Sequence, residues 1–201
     1  MLVTSDLGGP VAALASTREL PRFAHHGDAR AVHGNARLRA YAFRDAGAPG
    51  LEEGSPMLDA ALYSIFDAGS ACPTGGASRL SSHGIVFLIE AGDRPAGIEE
   101  LKRLIAEVSA REILRCAAVG IVVIGGSAAV AAIDSDFLAR TVRASGGYVV
   151  GPCIITKRDA ATVGRSDGTV QFEDVTLASS VSLLGRRVAR LAASGRALRA
   201  A

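Results

Sequence analysis

An α/β fold, with a central parallel sheet of about five strands covered by helices on both faces, is predicted from three observations. Two short runs, Gly84–Ile89 (GIVFLI) and Val119–Ile124 (VGIVVI), are continuously apolar and rich in β-branched residues, the pattern of strands buried on both faces. Stretches with apolar residues at helical spacing separate and follow them. The resulting order, strand–helix–strand–helix–strand–helix, is that of a parallel sheet built from crossover units.

The elements of the second half follow in order. After Gly84–Ile89, the positions Ile98, Leu101, Leu104, Ile105 and Val108 form the apolar stripe of an amphipathic helix. The strand Val119–Ile124 ends in Gly125-Gly126-Ser127. A helix is expected from Asp134 to Ser145, with Asp134 or Ser135 as N-cap and Gly146-Gly147 closing it. Tyr148–Ile155 (YVVGPCII) reads as a third strand that Gly151-Pro152 shortens. A polar stretch with an Asp167-Gly168 turn signal leads to a last helix, whose stripe is Leu177, Val181, Leu184, Val188 and Leu191. In the first half, Leu2–Thr4 reads as a short strand and Val11–Leu20 as a helix broken near Pro21. Ala36–Phe43 alternates as a strand, 47–56 is loop, Met57–Phe66 is helical and 69–82 is a small-residue linker. No internal repeat divides the chain, so one domain over residues 1–201 is expected.

Composition narrows the function classes. Of 201 residues, 49% are hydrophobic and 21% charged, which excludes a disordered chain. Aromatic residues make up only 4% and Trp is absent, so Ala, Val, Leu and Ile must fill the core. The net charge of +2 gives no reason to expect a nucleic-acid partner. Cys72, Cys116 and Cys153 form neither a CxxC pair nor a cluster with histidine, so no disulfide framework and no metal site are expected. No apolar run reaches the roughly 18 residues of a spanning helix, so no membrane partner is expected. The N-terminus lacks the basic region and apolar core of a signal peptide, which makes the cytoplasm the expected compartment.

The succession of GIVFLI, a loop, a helix, VVIGGS, a second helix and the strand Tyr148–Ile155 resembles the NADPH-dependent FMN reductase family of flavodoxin-like proteins. The segment DGTVQFED before the C-terminal helix and, in the first half, RLRAYAFRDAGAPG are also similar to that family. The resemblance is one of layout over most of the chain. It implies a flavodoxin-like three-layer α/β/α fold, FMN as cofactor, NADPH or NADH as electron donor, and a homodimer or higher homo-oligomer.

The resemblance also implies three cofactor-binding loops, and this sequence departs from the family in two of them. The family's first loop is rich in Ser and Arg. Here the stretch is Ser5-Asp6-Leu7-Gly8-Gly9-Pro10, in which Ser5, Gly8 and Gly9 are the candidate phosphate contacts. A phosphate needs N–H groups, hydroxyls or a cation, and Asp6 opposes it. The second loop, Glu90-Ala91-Gly92-Asp93-Arg94-Pro95-Ala96-Gly97, lacks the family's aromatic residue. Glu90, Gly92, Asp93 and Arg94 are its candidate ligands, with Arg94 able to stack on a ring or contact a phosphate. The third loop, Gly125-Gly126-Ser127, lets a backbone approach a planar ring, and reads equally as a tight strand-to-helix turn.

Other groupings carry less. Cys72-Pro73-Thr74-Gly75-Gly76 could form a reactive-thiol loop only with a base, for which His83 is the nearest histidine in sequence. His25, His26 and His33 read as parts of a polar loop. The arginines Arg186, Arg187, Arg190, Arg196 and Arg199 suit the end of a helix. Two functions are therefore expected from the sequence. One is an NAD(P)H-dependent FMN reductase-like flavoprotein that transfers hydride from the nicotinamide to flavin, or on to a quinone or nitro-type acceptor. The other is a non-catalytic flavodoxin-like accessory or small-molecule-binding protein that has lost flavin binding.

Overall fold

Eleven elements are laid down along the residues that the computed structural model describes, namely 23–33, 36–45, 55–66, 83–110, 114–158, 163–166 and 169–200. They are β1 (Phe23–His33), β2 (Ala36–Asp45), α1 (Pro56–Phe66), β3 (His83–Glu90), α2 (Ile98–Ser109) and β4 (Ala118–Gly125). Then come α3 (Ala128–Ala144), β5 (Tyr148–Thr156), β6 (Val163–Ser166), β7 (Thr169–Phe172) and α4 (Val175–Ala200). The readings at Ser5–Pro10, Leu2–Thr4, Val11–Leu20 and 69–82, including Cys72–Gly76, lie outside the described residues.

The main sheet runs β1-β2-β3-β4-β5 in spatial order. β2, β3, β4 and β5 are mutually parallel, and β1 pairs antiparallel with β2. Helices cover both faces, so the predicted three-layer α/β/α architecture with a parallel sheet is present. The alternation along the two central strands explains why. Ile85, Phe87, Ile89, Val119, Ile121 and Val123 enter one core with Leu101, Leu104, Ile105, Val108, Leu138 and Val142 of α2 and α3. Val86, Leu88, Val122 and Ile124 enter the other with Leu58 and Ile65 of α1 and Val181, Leu184 and Val188 of α4. Successive side chains of a strand point to opposite faces, so a strand apolar at every position needs a helix layer on each.

The helix faces are unequal in their ancestry along the chain. β2, β3, β4 and β5 are added in one direction across the sheet, yet α1 lies on the face opposite to α2 and α3. Right-handed crossovers throughout would place all three on one face. α4 packs beside α1 and across the strands from β2 to β5. Its Val188 sits directly on two strand glycines: a Cβ at Gly84 would lie 2.8 Å from Val188 Cγ1, and one at Gly120 2.8 Å from Cγ2. Glycine at these positions is what lets the helix come so close to the sheet.

Four expectations are corrected. The histidines His25, His26 and His33 lie in β1 and not in a loop. β1 is held by backbone pairing to β2, with a register shift between His25 and Gly27, and such an edge strand needs no apolar alternation. Helix α3 starts at Ala128 with Ser127 as its cap, six residues before the expected start, and Asp134 is a buried residue inside it. The small residues Ala128, Ala129, Ala131 and Ala132 hid that first turn from an apolar-stripe reading. β5 continues through Gly151-Pro152 to Thr156, because it ends the sheet and a register shift absorbs the irregularity. The stretch around Asp167-Gly168 holds the strands β6 and β7, whose Phe172 is buried in the α1–α4 core.

Candidate functional site

Parallel register brings the carboxyl ends of the strands level. Arg44 of β2 stands opposite Glu90 of β3, Glu90 opposite Ile124 of β4, and Gly125 opposite Thr156 of β5. In open α/β sheets this edge is where ligands bind. The N-termini of α1, α2 and α3 meet it, because each helix follows a strand that ends there.

At this edge lies a polar cluster built by four segments. The Glu90 side chain is only 2% exposed. Ser55 Oγ donates a hydrogen bond to its Oε2 at 2.5 Å, and the same hydroxyl accepts one from Leu58 N at 3.2 Å, capping α1. Arg44 Nε lies 3.5 Å from Glu90 Oε2, and Lys157 Nζ lies 3.6 Å from Oε1. A carboxylate at this depth is tolerable only with such partners. Lys157 follows β5 directly, and its backbone N–H donates to Gly125 O at 2.8 Å. Its side chain therefore crosses the end of β4 to reach β3. Arg44 and Lys157 thus approach the two oxygens of one carboxylate.

The two glycine-containing loops close over the neighbouring part of the edge. Ala91 N donates to Ile124 O at 2.8 Å, which ties the start of the first loop to β4. Farther along, Ala96 N donates to Asp134 Oδ1 at 2.7 Å, so a buried carboxylate of α3 fixes the loop where it enters α2. Gly126 packs on Asp93: a Cβ there would lie 3.2 Å from Asp93 Cα and would collide with its carboxylate. Ser127 Oγ accepts from Val130 N at 3.3 Å and caps α3.

The structure thus separates the residues singled out in the sequence. Gly92, Asp93, Arg94, Gly126 and Ser127 are together on the rim of the edge, with Asp93, Arg94, Gly126 and Ser127 exposed. Gly125 is the buried last residue of β4, with its carbonyl accepting from Lys157. Glu90 is buried inside the cluster and not on the rim. Ser5, Gly8 and Gly9 lie outside the described residues. The cations Arg44 and Lys157, and the hydroxyl of Ser55, were not among the candidates. The signal for them was positional: Arg44 is the penultimate residue of one strand, Lys157 follows another, and Ser55 precedes a helix that opens with Pro56.

His83 opens β3 at the amino end of the sheet, away from this edge. Burial pushes the Cys153 thiol above its ordinary value, whereas Cys116 is exposed at a turn with φ 63°. Among the described residues, no group of three or more His, Cys, Asp or Glu residues is arranged to hold a metal ion. None of their helices is long and apolar enough to cross a membrane.

No protein-family model, no curated protein and no solved structure matches this chain.

Proposed function

We propose that this chain is an FMN reductase-like flavoprotein that takes FMN at the carboxyl edge of its sheet. The observation that carries this reading is the conjunction at one edge of two glycine loops from adjacent buried strands and two cations, Arg44 and Lys157. The loops that follow β3 and β4 meet at this edge, with Gly126 packed on Asp93, and a planar ring would lie on their joint surface. Arg44 and Lys157 supply the charge that an anionic cofactor requires. The donor set at the edge, guanidinium and ammonium with backbone N–H groups, fits a ligand with a flat body and an anionic tail.

Bound FMN would supply hydride acceptance from NADPH or NADH and reduction of a quinone or nitro-type acceptor. The residues of the chain have the simpler tasks of binding and orientation. Arg94 stands exposed on the rim, where its guanidinium can lie on a ring face. Asp134, through Ala96 N, holds the first loop in place. No acid–base dyad is needed, because the proton and electron chemistry belongs to the cofactor. A homodimer or higher homo-oligomer belongs to the same proposal, and a clean monomer mass in sedimentation at micromolar protein would remove it.

The second reading is a flavodoxin-like accessory or small-molecule-binding protein without flavin. It is favoured by the packing of Gly126 on Asp93, which brings the two loops together, and by the engagement of Ser55 with Glu90. Titration of the purified protein with FMN, followed by flavin fluorescence, tests the two readings. Saturable quenching with NAD(P)H-dependent bleaching supports the first. A cooperatively folded protein that takes no flavin at any concentration supports the second.

A further inference from the structure

We propose that the solvent side of α4 between Leu183 and Leu191 docks an acidic segment of a partner protein. That segment would carry carboxylates over about two helical turns, with apolar side chains at either end. The inference goes beyond the flavin reading and does not depend on it.

Positions 175–200 hold five arginines and no acidic residue. At the end of a helix, arginines answer the macrodipole, whose influence falls off within the last turn. α4 runs on to Ala200, so Arg186, Arg187 and Arg190 lie in its interior, the last of them 10 residues before the end, 200 − 190. The dipole does not account for them. All three are exposed, and among the described residues none has an acidic partner. Exposed cations of α2 and α3 are paired within their own helix: Lys102 with Glu99, Arg103 with Glu100 and Arg140 with Asp136. Arg143 stands in the last turn of α3, where the dipole favours it. In α4, Arg190 is four residues from Arg186 and three from Arg187, spacings at which like charges repel on a helix. The cluster works against the helix that carries it.

Apolar surface flanks the cluster. Leu183 is 49% exposed and Leu191 39%, and with Arg187 they form one row at a spacing of four. The apolar stripe that serves the fold is turned inward, with Val181, Leu184, Val188 and Ala192 in the core. Outward leucines on either side of a guanidinium cluster match a partner that offers both carboxylates, which pair with guanidinium bidentately, and apolar side chains. A phosphate backbone gives leucine no contact, and α4 contains no aromatic residue on which a base could stack. Two leucines are too little apolar surface to hold a helix in a lipid interface. Val188, placed between the arginines in sequence, packs on Gly84 and Gly120 near the amino ends of β3 and β4. A partner docked there leaves the carboxyl edge open.

The test measures, by fluorescence anisotropy, the binding of a synthetic helical peptide whose glutamates follow one another at three- and four-residue spacings between two leucines. A second peptide has Gln in place of each Glu. A single-stranded oligonucleotide and vesicles of phosphatidylserine and phosphatidylcholine are the competing polyanions. The proteins are the wild type, a triple variant (Arg186→Gln, Arg187→Gln, Arg190→Gln) and a double variant (Leu183→Ser, Leu191→Ser). The wild type should bind the acidic peptide roughly tenfold or more tightly than the Gln peptide, and the triple variant should lose that preference. The double variant should bind the acidic peptide several-fold more weakly, and added KCl should weaken binding to the wild type. The triple variant should melt at the temperature of the wild type or above it, since only repulsion has been removed. A lower melting temperature would show that the arginines serve the fold and would overturn the proposal. Peptide binding that the triple variant keeps, or that the leucine replacements leave unchanged, overturns it as well. Tighter binding of the oligonucleotide or the vesicles would assign the face to a polyanion, and self-association that only the triple variant loses would assign it to a second copy. Absence of acidic-peptide binding up to about 1 mM leaves no docking surface.

Discussion

Replacing Gly120 with Ala should destabilise the wild type but stabilise a protein that already carries Val188→Ala. The backbone at Gly120 is outside the left-handed region, so an alanine there is not strained by conformation. By itself, removing the flexibility of a glycine stabilises by about 0.4–1 kcal/mol through the unfolded chain. Against this, the new methyl meets Val188 Cγ2 at 2.8 Å and Leu184 Cγ at 3.3 Å. Val188 is fully buried and β-branched, so it cannot turn aside freely. Overpacking of this kind costs about 1–3 kcal/mol, leaving a net loss of roughly 1–2. Val188→Ala alone removes two buried methyl groups, at about 0.8 kcal/mol each plus a cavity term, or roughly 2–3 kcal/mol. In that background the methyl at 120 enters the vacated space and should recover about 1 kcal/mol. The coupling between the two sites is then roughly 2 kcal/mol, well above the 0.3–0.5 kcal/mol scatter of independent sites. Urea unfolding of the four proteins with a common slope measures it. A Gly120→Ala effect of the same sign in both backgrounds would refute the argument.

Three further outcomes are expected. Val122→Asp buries a carboxylate at a fully enclosed position and should unfold or aggregate the protein, at a cost of several kcal/mol; a soluble variant with an unchanged melting temperature would contradict the strand assignment. Ser55→Ala removes both a helix cap and a donor to buried Glu90, so it should lower stability by about 2–3 kcal/mol, against about 1 kcal/mol for Ser127→Ala, which loses a cap on an exposed turn; equal losses in thermal melts would show that the Glu90 contact contributes nothing. The Cys153 thiol, raised by burial above its ordinary 9.0, stays protonated in the fold. Its contribution to stability is therefore complete below the unfolded thiol's pKa and is lost as pH rises through the higher folded value. Iodoacetamide followed by peptide mass analysis should label Cys116 well before Cys153, and equal rates would argue against the burial.

What could be read in the sequence followed burial. Gly84–Ile89 and Val119–Ile124 are apolar at every position because both faces are covered, and no other local pattern competes with that. The helices α2 and α4 announced themselves by stripes such as Leu101, Leu104, Ile105 and Val108. β1 did not, because its pairing is made by backbone and its composition is polar. The two residues between paired His33 and Ala36, Gly34 and Asn35, are nonetheless a hairpin signal in the sequence itself. At the candidate site, the glycine loops were legible as breaks after apolar strands. The charged cluster was not, since Arg44, Ser55, Glu90 and Lys157 are up to 113 positions apart, 157 − 44, and only parallel register makes them neighbours.

Val188 and the rest of α4 also bear on how the chain is made. The strands of the main sheet, α2 and α3 on one face and α1 on the other are complete in sequence by Thr156, whereas the second face lacks α4 until residues 175–192. During synthesis at about 5–20 residues per second, the part of that face beyond α1 stays uncovered for on the order of seconds after the sheet has emerged. The side chains that α4 covers there include Val122 and Ile124 of β4. A chain stalled after β5 has left the ribosome and before α4 has would display a half-dressed sheet, a natural substrate for chaperones. Release of the last helix is the event that ends that exposure.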